Sequence, residues 1–474
     1  MKRVYIGELA AHADTQTCIQ GWVHTKRNQG KMVFFEFRDM TGKVQGVVLP
    51  GNETLKTQAD ELRDECVVQI IGTVNKRPEK NVQQGKINGD IEMVVEFISV
   101  LNKAEVLPFP IDGDTREVGE EVRLKHRYLD LRNARMQHNI RRRSEVLQFI
   151  RTKLTNEKFI EVETPLLTKS TPEGARDFVV PSRIYPGNFY ALPQSPQQYK
   201  QLLMTSGIER YFQFAKCLRD EDSRGDRQPE FTQLDMEISF LEKEDVMELN
   251  EKLLINLVQE LYPEKKIQQI PFPRISYKDT MEKYGNDRPD IREDKTNENL
   301  LAFCWVVDFP FFERTNKSDN PDTFGEWTFT HNPFSRPIPE HMENLMGKKN
   351  LGDIITSQYD ITLNGYEIGG GSIRNHEVGA LMTVFEILGY KEEEIKSNFG
   401  HMLTAFSLGT PPHGGIAWGF DRLMMLLHNE ANIREVMAFP KTGEGKDLMM
   451  QSPSNISDKQ LKELSLELKL KKHV

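Results

Sequence analysis

The 474-residue sequence predicts an α+β protein in two parts: a small β-rich domain, then a larger one in which antiparallel strands and helices are mixed. Three observations point there. The first hundred or so residues are short β-branched and aromatic runs separated by Gly, Asn and Pro clusters. A charged, proline-containing stretch, Leu107-Pro-Phe-Pro110 through Glu121, then interrupts the pattern. Beyond it, hairpin signals are interleaved with amphipathic helical segments.

The N-terminal runs are Gly21-Trp-Val-His24, Met32–Arg38, Val44–Leu49, Val67–Val74 and Ile91–Val100. Five strands in about a hundred residues suit a small closed barrel such as an OB-fold, assigned to residues 1–105. Along Met32–Arg38, Val33, Phe35 and Phe37 share one face and should be core, leaving Phe34 with Glu36 and Arg38. An aromatic on a polar face near Lys26 and Arg27 is how single-stranded bases are stacked and held. The alternative is a Phe covered by a loop or helix.

Residues 106–134 read as a hinge or linker, and 135–474 as the main domain. A helix over about 135–156 shows apolar positions at Ile140, Val146, Leu147, Ile150 and Leu154. Another opens within Leu192–Lys200, and 241–262 is amphipathic through Val246, Leu249, Leu253, Leu254, Leu257 and Leu261.

Hydrophobic content of 38% and charged content of 28% describe an ordinary soluble chain. No apolar run is long enough to span a bilayer, so no membrane partner is expected. The N-terminus enters structured-looking sequence at once, without a leader pattern. Cys18, Cys66, Cys217 and Cys304 are too far apart for a zinc motif or disulfide framework, which suits a reducing cytoplasm. The net charge is −9, yet residues 1–110 balance 14 basic against 14 acidic side chains. Within the acidic remainder, residues 123–143 form a basic band of Arg123, Lys125, Arg127, Arg132, Arg135, Arg141, Arg142 and Arg143, with Asp130 alone opposing. Such a band is either a phosphate-backbone footprint or a solvated helix face.

Three constellations carry chemistry. In the first, Arg219 and Glu221, two apart, are expected on one face of a strand before a loop with Arg224 and Arg227, and the strand Phe231–Ile238 returns. Period two puts Gln233, Asp235 and Glu237 on one face and Leu234, Met236 and Ile238 on the other. Cations at a hairpin tip above a carboxylate/amide stripe suit ATP beside an amino acid; a solvent-exposed antiparallel pair is the alternative. The second is Tyr359–Arg374, a hairpin turning at Asn364-Gly365. Its expected register pairs Thr362 with Glu367 and Ile361 with Ile368. Asp360, Thr362 and Glu367 then share a face, and the two carboxylates suit a Mg²⁺ shared with phosphates. Arg374 lies an odd number of residues from Glu367, so it reaches the same pocket only if the glycine run contains a bulge. The third is Gly414–Arg422, small residues leading through an arginine into a helix.

On these residues the chain resembles the bacterial-type aspartyl-tRNA synthetases, class II aminoacyl-tRNA synthetases, over nearly its whole length. Phe159–Pro165 is similar to the first class signature, whose proline lies at a homodimer interface. Arg219–Glu221 with Phe231 is similar to the second, and Gly415–Arg422 to the third, with Asp421 where most class II enzymes have Glu. Thr171–Asp177, Gln194–Lys200 and Gly365–Arg374 resemble segments particular to aspartate activation. The resemblance implies an OB-fold anticodon domain and a catalytic domain on an antiparallel sheet flanked by helices.

It also implies roles. ATP would be held by Arg219, Glu221, Gln228, Phe231, Glu367 and Arg422, with Arg219 and Arg422 catalytic. Phe231 would stack on adenine, with Arg422 on its other face. Mg²⁺ would lie on Asp360 and Glu367. L-Aspartate would be bound by Glu173, Gln197, Lys200, Asp235, His331 and Arg374, with Lys200 and Arg374 on its side-chain carboxylate. Arg27, Phe34 and Gln45 would read the anticodon of tRNA(Asp), and tRNA(Asn) as a second substrate stays open, depending on residues around Gln29 and Thr73–Gly89. The implied reaction joins aspartate to tRNA through aspartyl-adenylate, releasing pyrophosphate and AMP.

Two departures stand out. The domain of about a hundred residues that bacterial relatives insert between the second and third signatures is expected to be absent between about 290 and 303, and Asn332 follows His331 where many relatives have a second histidine. Asparaginyl- and lysyl-tRNA synthetases, an asparagine synthetase and a retired paralogue acting as an RNA-binding module are the rivals.

Overall fold

The computed structural model describes residues 1–171, 174–315 and 325–469. Its contacts divide the chain into two compact units, Met1–Thr115 and Arg116–Val474.

In the first unit, β1 (Gln16–Gln29), β2 (Met32–Arg38), β3 (Lys43–Val48), β4 (Val67–Lys76) and β5 (Ile91–Asn102) close a barrel in the order β1-β2-β3-β5-β4. All five expected runs are strands. Val33, Phe35 and Phe37 are buried in the barrel core, as their alternation requires. An unexpected helix, α1 (Glu53–Glu61), follows β3, and the Asn52 side chain caps it by accepting from the Leu55 N–H at 3.0 Å.

The second unit is built on an eight-stranded sheet. Its strands are β6 (Ile160–Glu161), β7 (Arg210–Leu218), β8 (Glu230–Ser239), β9 (Arg274–Ser276), β10 (Phe303–Val307), β11 (Gln358–Leu363), β12 (Tyr366–Ile373) and β13 (His413–Gly419). Their order is β9-β10-β11-β12-β13-β8-β7-β6. The sheet is antiparallel except at its ends, where β9 runs parallel to β10 and β6 to β7. Leu234, Met236 and Ile238 of β8 point into the main core with Ile416 and Trp418 of β13. Helices α2 (Ala134–Asn156), α4 (Lys243–Leu261) and α5 (Phe420–Leu427) cover that face; α3 (Gln197–Thr205) lies between α2 and α4 in sequence. Val146, Ile150 and Leu154 of α2 and Leu253, Leu254 and Leu257 of α4 supply their apolar stripes, close to the predicted pattern. The opposite face of β8 is left to its polar residues.

The basic band is not a free cationic surface. Arg123 bonds Glu435 at 3.1 Å, and Arg135 reaches Glu430 and Glu435 at 2.7 Å each. Arg127 is buried against Asp130 and the carbonyls of Met437 and Ala438. Arg143 meets Asp421 at 2.6 Å, and Arg142 pairs with Glu145 at 2.7 Å. Four of the eight cations therefore tie residues 123–143 to the segment around α5. The footprint reading is corrected: the counter-charges lie some three hundred residues away in sequence, where local composition cannot show them.

Between residues 285 and 302 the chain makes a short bonded connection. Asp290 and Arg292 pair at 2.8 Å, and Gln268 accepts from the Glu293 N–H and donates to the Ile291 carbonyl.

Candidate active site

The β11–β12 hairpin turns at Asn364 and Gly365, both left-handed with φ 52° and 88°, so a two-residue turn forms as expected. Its register differs from the expected one beyond Thr362–Glu367. Ile361 pairs with Gly369 and Asp360 with Gly370, because Ile368 is an extra residue in β12. A bulge is what Arg374 required, but it falls at Ile368, one residue before the glycine run and not within it as expected. It restores phase, so Glu367, Gly370, Ser372 and Arg374 face the side occupied by Asp360 and Thr362.

Arg374 donates from Nε and Nη2 to both oxygens of Glu237 at 2.7 and 3.0 Å, and from Nη1 to Ser372 Oγ at 2.9 Å. Lys200 on α3 places its Nζ 2.6 Å from Asp235 Oδ1 and 3.4 Å from Glu237 Oε2. All four charged side chains are buried. Glu237 thus holds both cations. Burial opposes its ionisation, but Arg374 and Lys200 override that and hold the carboxyl down at about 2. Asp235 is pushed upward by burial against the pull of Lys200. Its Oδ2 is buried without a hydrogen-bond partner among the described residues, the nearby Tyr211 hydroxyl being donated to Gln213. Such an acceptor suits an ammonium. Gly415 makes room for the cluster, since a Cβ there would lie 2.2 Å from Glu237 Oε2. Glu237 belonged to the predicted polar stripe; its role in clamping both cations was not foreseen. Gln197 sits on the first turn of α3, its Nε2 2.9 Å from Gln201 Oε1.

All six residues expected around ATP line one cleft of about 900 Å³ above the cluster: Arg219, Glu221, Gln228, Phe231, Glu367 and Arg422. β7 ends at Leu218, so Arg219 and Glu221 lie in the loop and not on a strand face as expected; beyond it the pairing continues only as a bond from the Arg219 N–H to the Pro229 carbonyl and an isolated Arg224–Arg227 bridge at the tip. The Arg219 guanidinium lies over the Phe231 ring, 5.2 Å from its centroid. Arg422 donates to the Glu367 carbonyl and pairs with Asp226 at 3.0 Å, a partner sequence reading missed. Gln228 Nε2 and Arg422 Nε are buried without partners among the described residues and are donors for a ligand in this cleft. Asp421 accepts from the Thr232 N–H at 2.7 Å and meets Arg143, fixing α5 against β8.

Asp360 is buried and receives Gln358 Nε2 at 2.6 Å, while burial and Glu367 raise its pKa well above the usual carboxylate range. A bound cation relieves that unfavourable pairing, so the two carboxylates fit Mg²⁺. His331 Nδ1 lies 3.9 Å from Asp360 Oδ2, and burial lowers its pKa. It therefore stands beside the carboxylate pair. Asn332 Nδ2 lies 3.4 Å from Oε1 of Gln358, the residue that donates to Asp360. Glu173 lies outside the described residues. The described part of its loop is pinned by Gln194, which bonds Ala175 and Asp177.

On the barrel, Arg27 pairs directly opposite Phe34, and Gln45 opposite Glu36. With Gln29, Arg77, Gln83 and Lys86 they line an open depression of about 1510 Å³. Lys26 is a correction. One residue from Arg27 in a strand, it faces the other way and donates to the Asp60 carbonyl at 2.8 Å.

The first unit is thus a five-stranded barrel, and the antiparallel sheet of the second bears an arginine-lined cleft and a buried two-cation pocket. The family described as OB-fold nucleic acid binding domain matches residues 17–101, and that described as tRNA synthetases class II (D, K and N) matches residues 119–443. An aspartate–tRNA(Asp/Asn) ligase of Chlorobium phaeobacteroides is 38% identical over 99% of this chain and 96% of its own length. An aspartate–tRNA(Asp) ligase of Deinococcus radiodurans is 38% identical over 99% of this chain and 100% of its own. The chain belongs to the class II aminoacyl-tRNA synthetases, in the aspartate–tRNA ligase family. The alignment with the Chlorobium enzyme runs over 592 positions, more than this chain has residues, so that relative carries sequence absent here. Two solved structures share the fold over 93% of the chain: an asparaginyl-tRNA synthetase of Pyrococcus horikoshii with asparaginyl-adenylate (98% of that chain, 23% identity, TM-score 0.74) and an aspartyl-tRNA synthetase of Entamoeba histolytica (91%, 23%, 0.71).

Proposed function

We propose that the chain ligates L-aspartate to tRNA(Asp) through aspartyl-adenylate, with the residues above in the following roles. The buried Lys200–Glu237–Arg374 clamp carries the reading. Its two cations take the side-chain carboxylate of aspartate, while Asp235 and Gln197 accept from the ammonium. A neutral amide in place of that carboxylate leaves buried cations under-paired, which disfavours asparagine, and a cationic lysine side chain is repelled.

In the cleft, Phe231 stacks on adenine, Gln228 and Glu221 hold the ATP, and Arg219 and Arg422 take its phosphates. The aspartate α-carboxylate attacks the α-phosphorus and pyrophosphate leaves. A carboxylate is already a nucleophile, so positioning and charge stabilisation supply the acceleration. A ribose hydroxyl of the terminal adenosine, the 3′ one, then attacks the acyl-adenylate carbonyl and AMP leaves. Asp360 and Glu367 would hold Mg²⁺, which would supply neutralisation of phosphate charge when bound. His331 faces that pair, and Glu173 is assigned to the amino acid on the resemblance alone.

Arg27, Phe34 and Gln45 contact the anticodon on the barrel. The Chlorobium relative's name favours tRNA(Asn) as a second substrate. Pro165 and the apolar residues beside it, Ile160, Leu166 and Leu167, each about half-exposed, form a homodimer contact at the β6 edge. Four buried cysteines, none of them in a disulfide, suit the cytoplasm. The inserted domain of relatives is absent between about 290 and 303, within the short connection described above.

ATP–pyrophosphate exchange with aspartate, asparagine and lysine in parallel tests the core reading. Exchange with aspartate alone is expected; exchange driven by asparagine or lysine overturns the pocket assignment. Charging of tRNA(Asp) and tRNA(Asn) transcripts then settles the second substrate.

A further inference from the structure

At the buried end of the amino-acid pocket a chain of hydrogen bonds has its direction fixed from one end. His413, the first residue of β13, places Nδ1 2.8 Å from the Pro411 carbonyl. A carbonyl only accepts, so Nδ1 carries the proton, and in a neutral imidazole Nε2 is then an acceptor. Gln201 Nε2 lies 3.0 Å from it and must donate. That turns Gln201 Oε1 toward Gln197, whose Nε2 donates across 2.9 Å. Gln197 is left with its own Oε1 as the group it offers to a ligand. His413 and Gln201 are wholly buried, so water cannot rescue a reversed amide.

We propose that His413 and Gln201 are positioning residues that set the direction of the Gln197 amide, so that its oxygen and not its NH2 group meets the substrate ammonium. The inference rests on the reading of Gln197 as an ammonium acceptor. An ammonium has donors only, and a reversed amide opposes N–H to N–H. The chain works while His413 is neutral. The charged groups facing it are Glu237, Arg374 and His376, and burial outweighs the attraction of Glu237 to bring its pKa down to about 4. At neutral pH the imidazole is therefore unprotonated at Nε2, as the chain requires.

The test varies aspartate in ATP–pyrophosphate exchange with Gln197→Ala, Gln201→Leu and the double variant. Gln197→Ala should raise the KM for aspartate roughly 10–100-fold, the loss of one charge-assisted hydrogen bond. Gln201→Leu should raise it several-fold, with the KM for ATP within about twofold, and should add nothing in the Gln197→Ala background. Gln201→Glu still accepts from Gln197 and draws a proton onto His413 Nε2, so it should recover most of the loss seen with Leu. A silent Gln197→Ala overturns the ammonium reading itself. A normal Gln197→Ala effect with a silent or fully additive Gln201→Leu overturns the relay alone. Independently of any variant, 15N shifts of the His413 ring in the full chain at pH 7 should show Nδ1 protonated and Nε2 not; the opposite tautomer overturns the proposal.

Discussion

On the barrel the candidate tRNA-reading side chains are open to solvent and lightly bonded, whereas the amino-acid pocket is made of buried charges bonded to one another. Arg27 is exposed, Phe34 is half-buried, and Gln45 makes one side-chain contact, to Glu92 at 3.0 Å. Lys200, Asp235, Glu237 and Arg374 are each almost wholly inaccessible, and every one contacts another of the set. The difference follows from what each site binds. An anticodon brings its own stacking surface and is read from one side, so the barrel need only present groups on a strand face. A small, highly charged amino acid offers little surface, and its recognition depends on a field prepared in a dry pocket. Buried charges of that kind are stable only as a complete set. Substitutions in the pocket should therefore cost stability and activity together, and those on the barrel only binding.

Arg374→Met probes the comparison most severely. It leaves Glu237 buried with Lys200 as its only strong partner, and breaking a buried ion pair typically costs about 3–5 kcal/mol. The urea midpoint should fall accordingly, and aspartate-dependent exchange should vanish. Lost exchange at an unchanged midpoint would mean that the pocket tolerates an incomplete charge set, and the contrast with the barrel would fail.

Arg219→Ala should separate the two costs inside the same unit. Its guanidinium makes a cation–π contact with Phe231 and a 3.4 Å hydrogen bond to the Gln194 carbonyl, so folding depends on it little. Loss of one preorganised cation at a transition state costs about 10²–10³ in rate. Adenylate formation should drop by that factor in single-turnover assays, with melting essentially unchanged. A variant that activates aspartate at near-normal rates would remove Arg219 from the catalytic set.

What was legible in the sequence follows the same divide between local and distant causes. Period two gave the barrel core, the faces of β8 and the need for a bulge before Arg374. The position of that bulge was not legible, because Glu367–Gly369 offers several places for an extra residue and the choice is made by pairing with β11 and β13. The basic band misled because Glu430, Glu435 and Asp421 reach it only through the fold. Glu237 could be assigned to a face, but its grip on two cations joins β8 to α3 and β12, elements far apart in the chain. His413 and Gln201 carried no signal, since a hydrogen-bond chain has no sequence period.

Phe34→Ala is the mildest test and bears most directly on the barrel. Phe34 lies on the outward face of β2, opposite Arg27 on β1 and Val47 on β3, while the core is filled by its neighbours Val33 and Phe35. Truncating it should leave the barrel's melting transition in place. A stacked base is worth about 1–3 kcal/mol by alanine substitution, so the KM for tRNA should rise by roughly 5–150-fold. Exchange of pyrophosphate, which needs no tRNA, should not change. Arg27→Ala should add a smaller, salt-dependent loss through a phosphate contact. If Phe34→Ala lowered exchange in the absence of tRNA, the barrel would be acting on the catalytic chemistry itself, and the open face and the closed pocket could no longer be treated as separate devices.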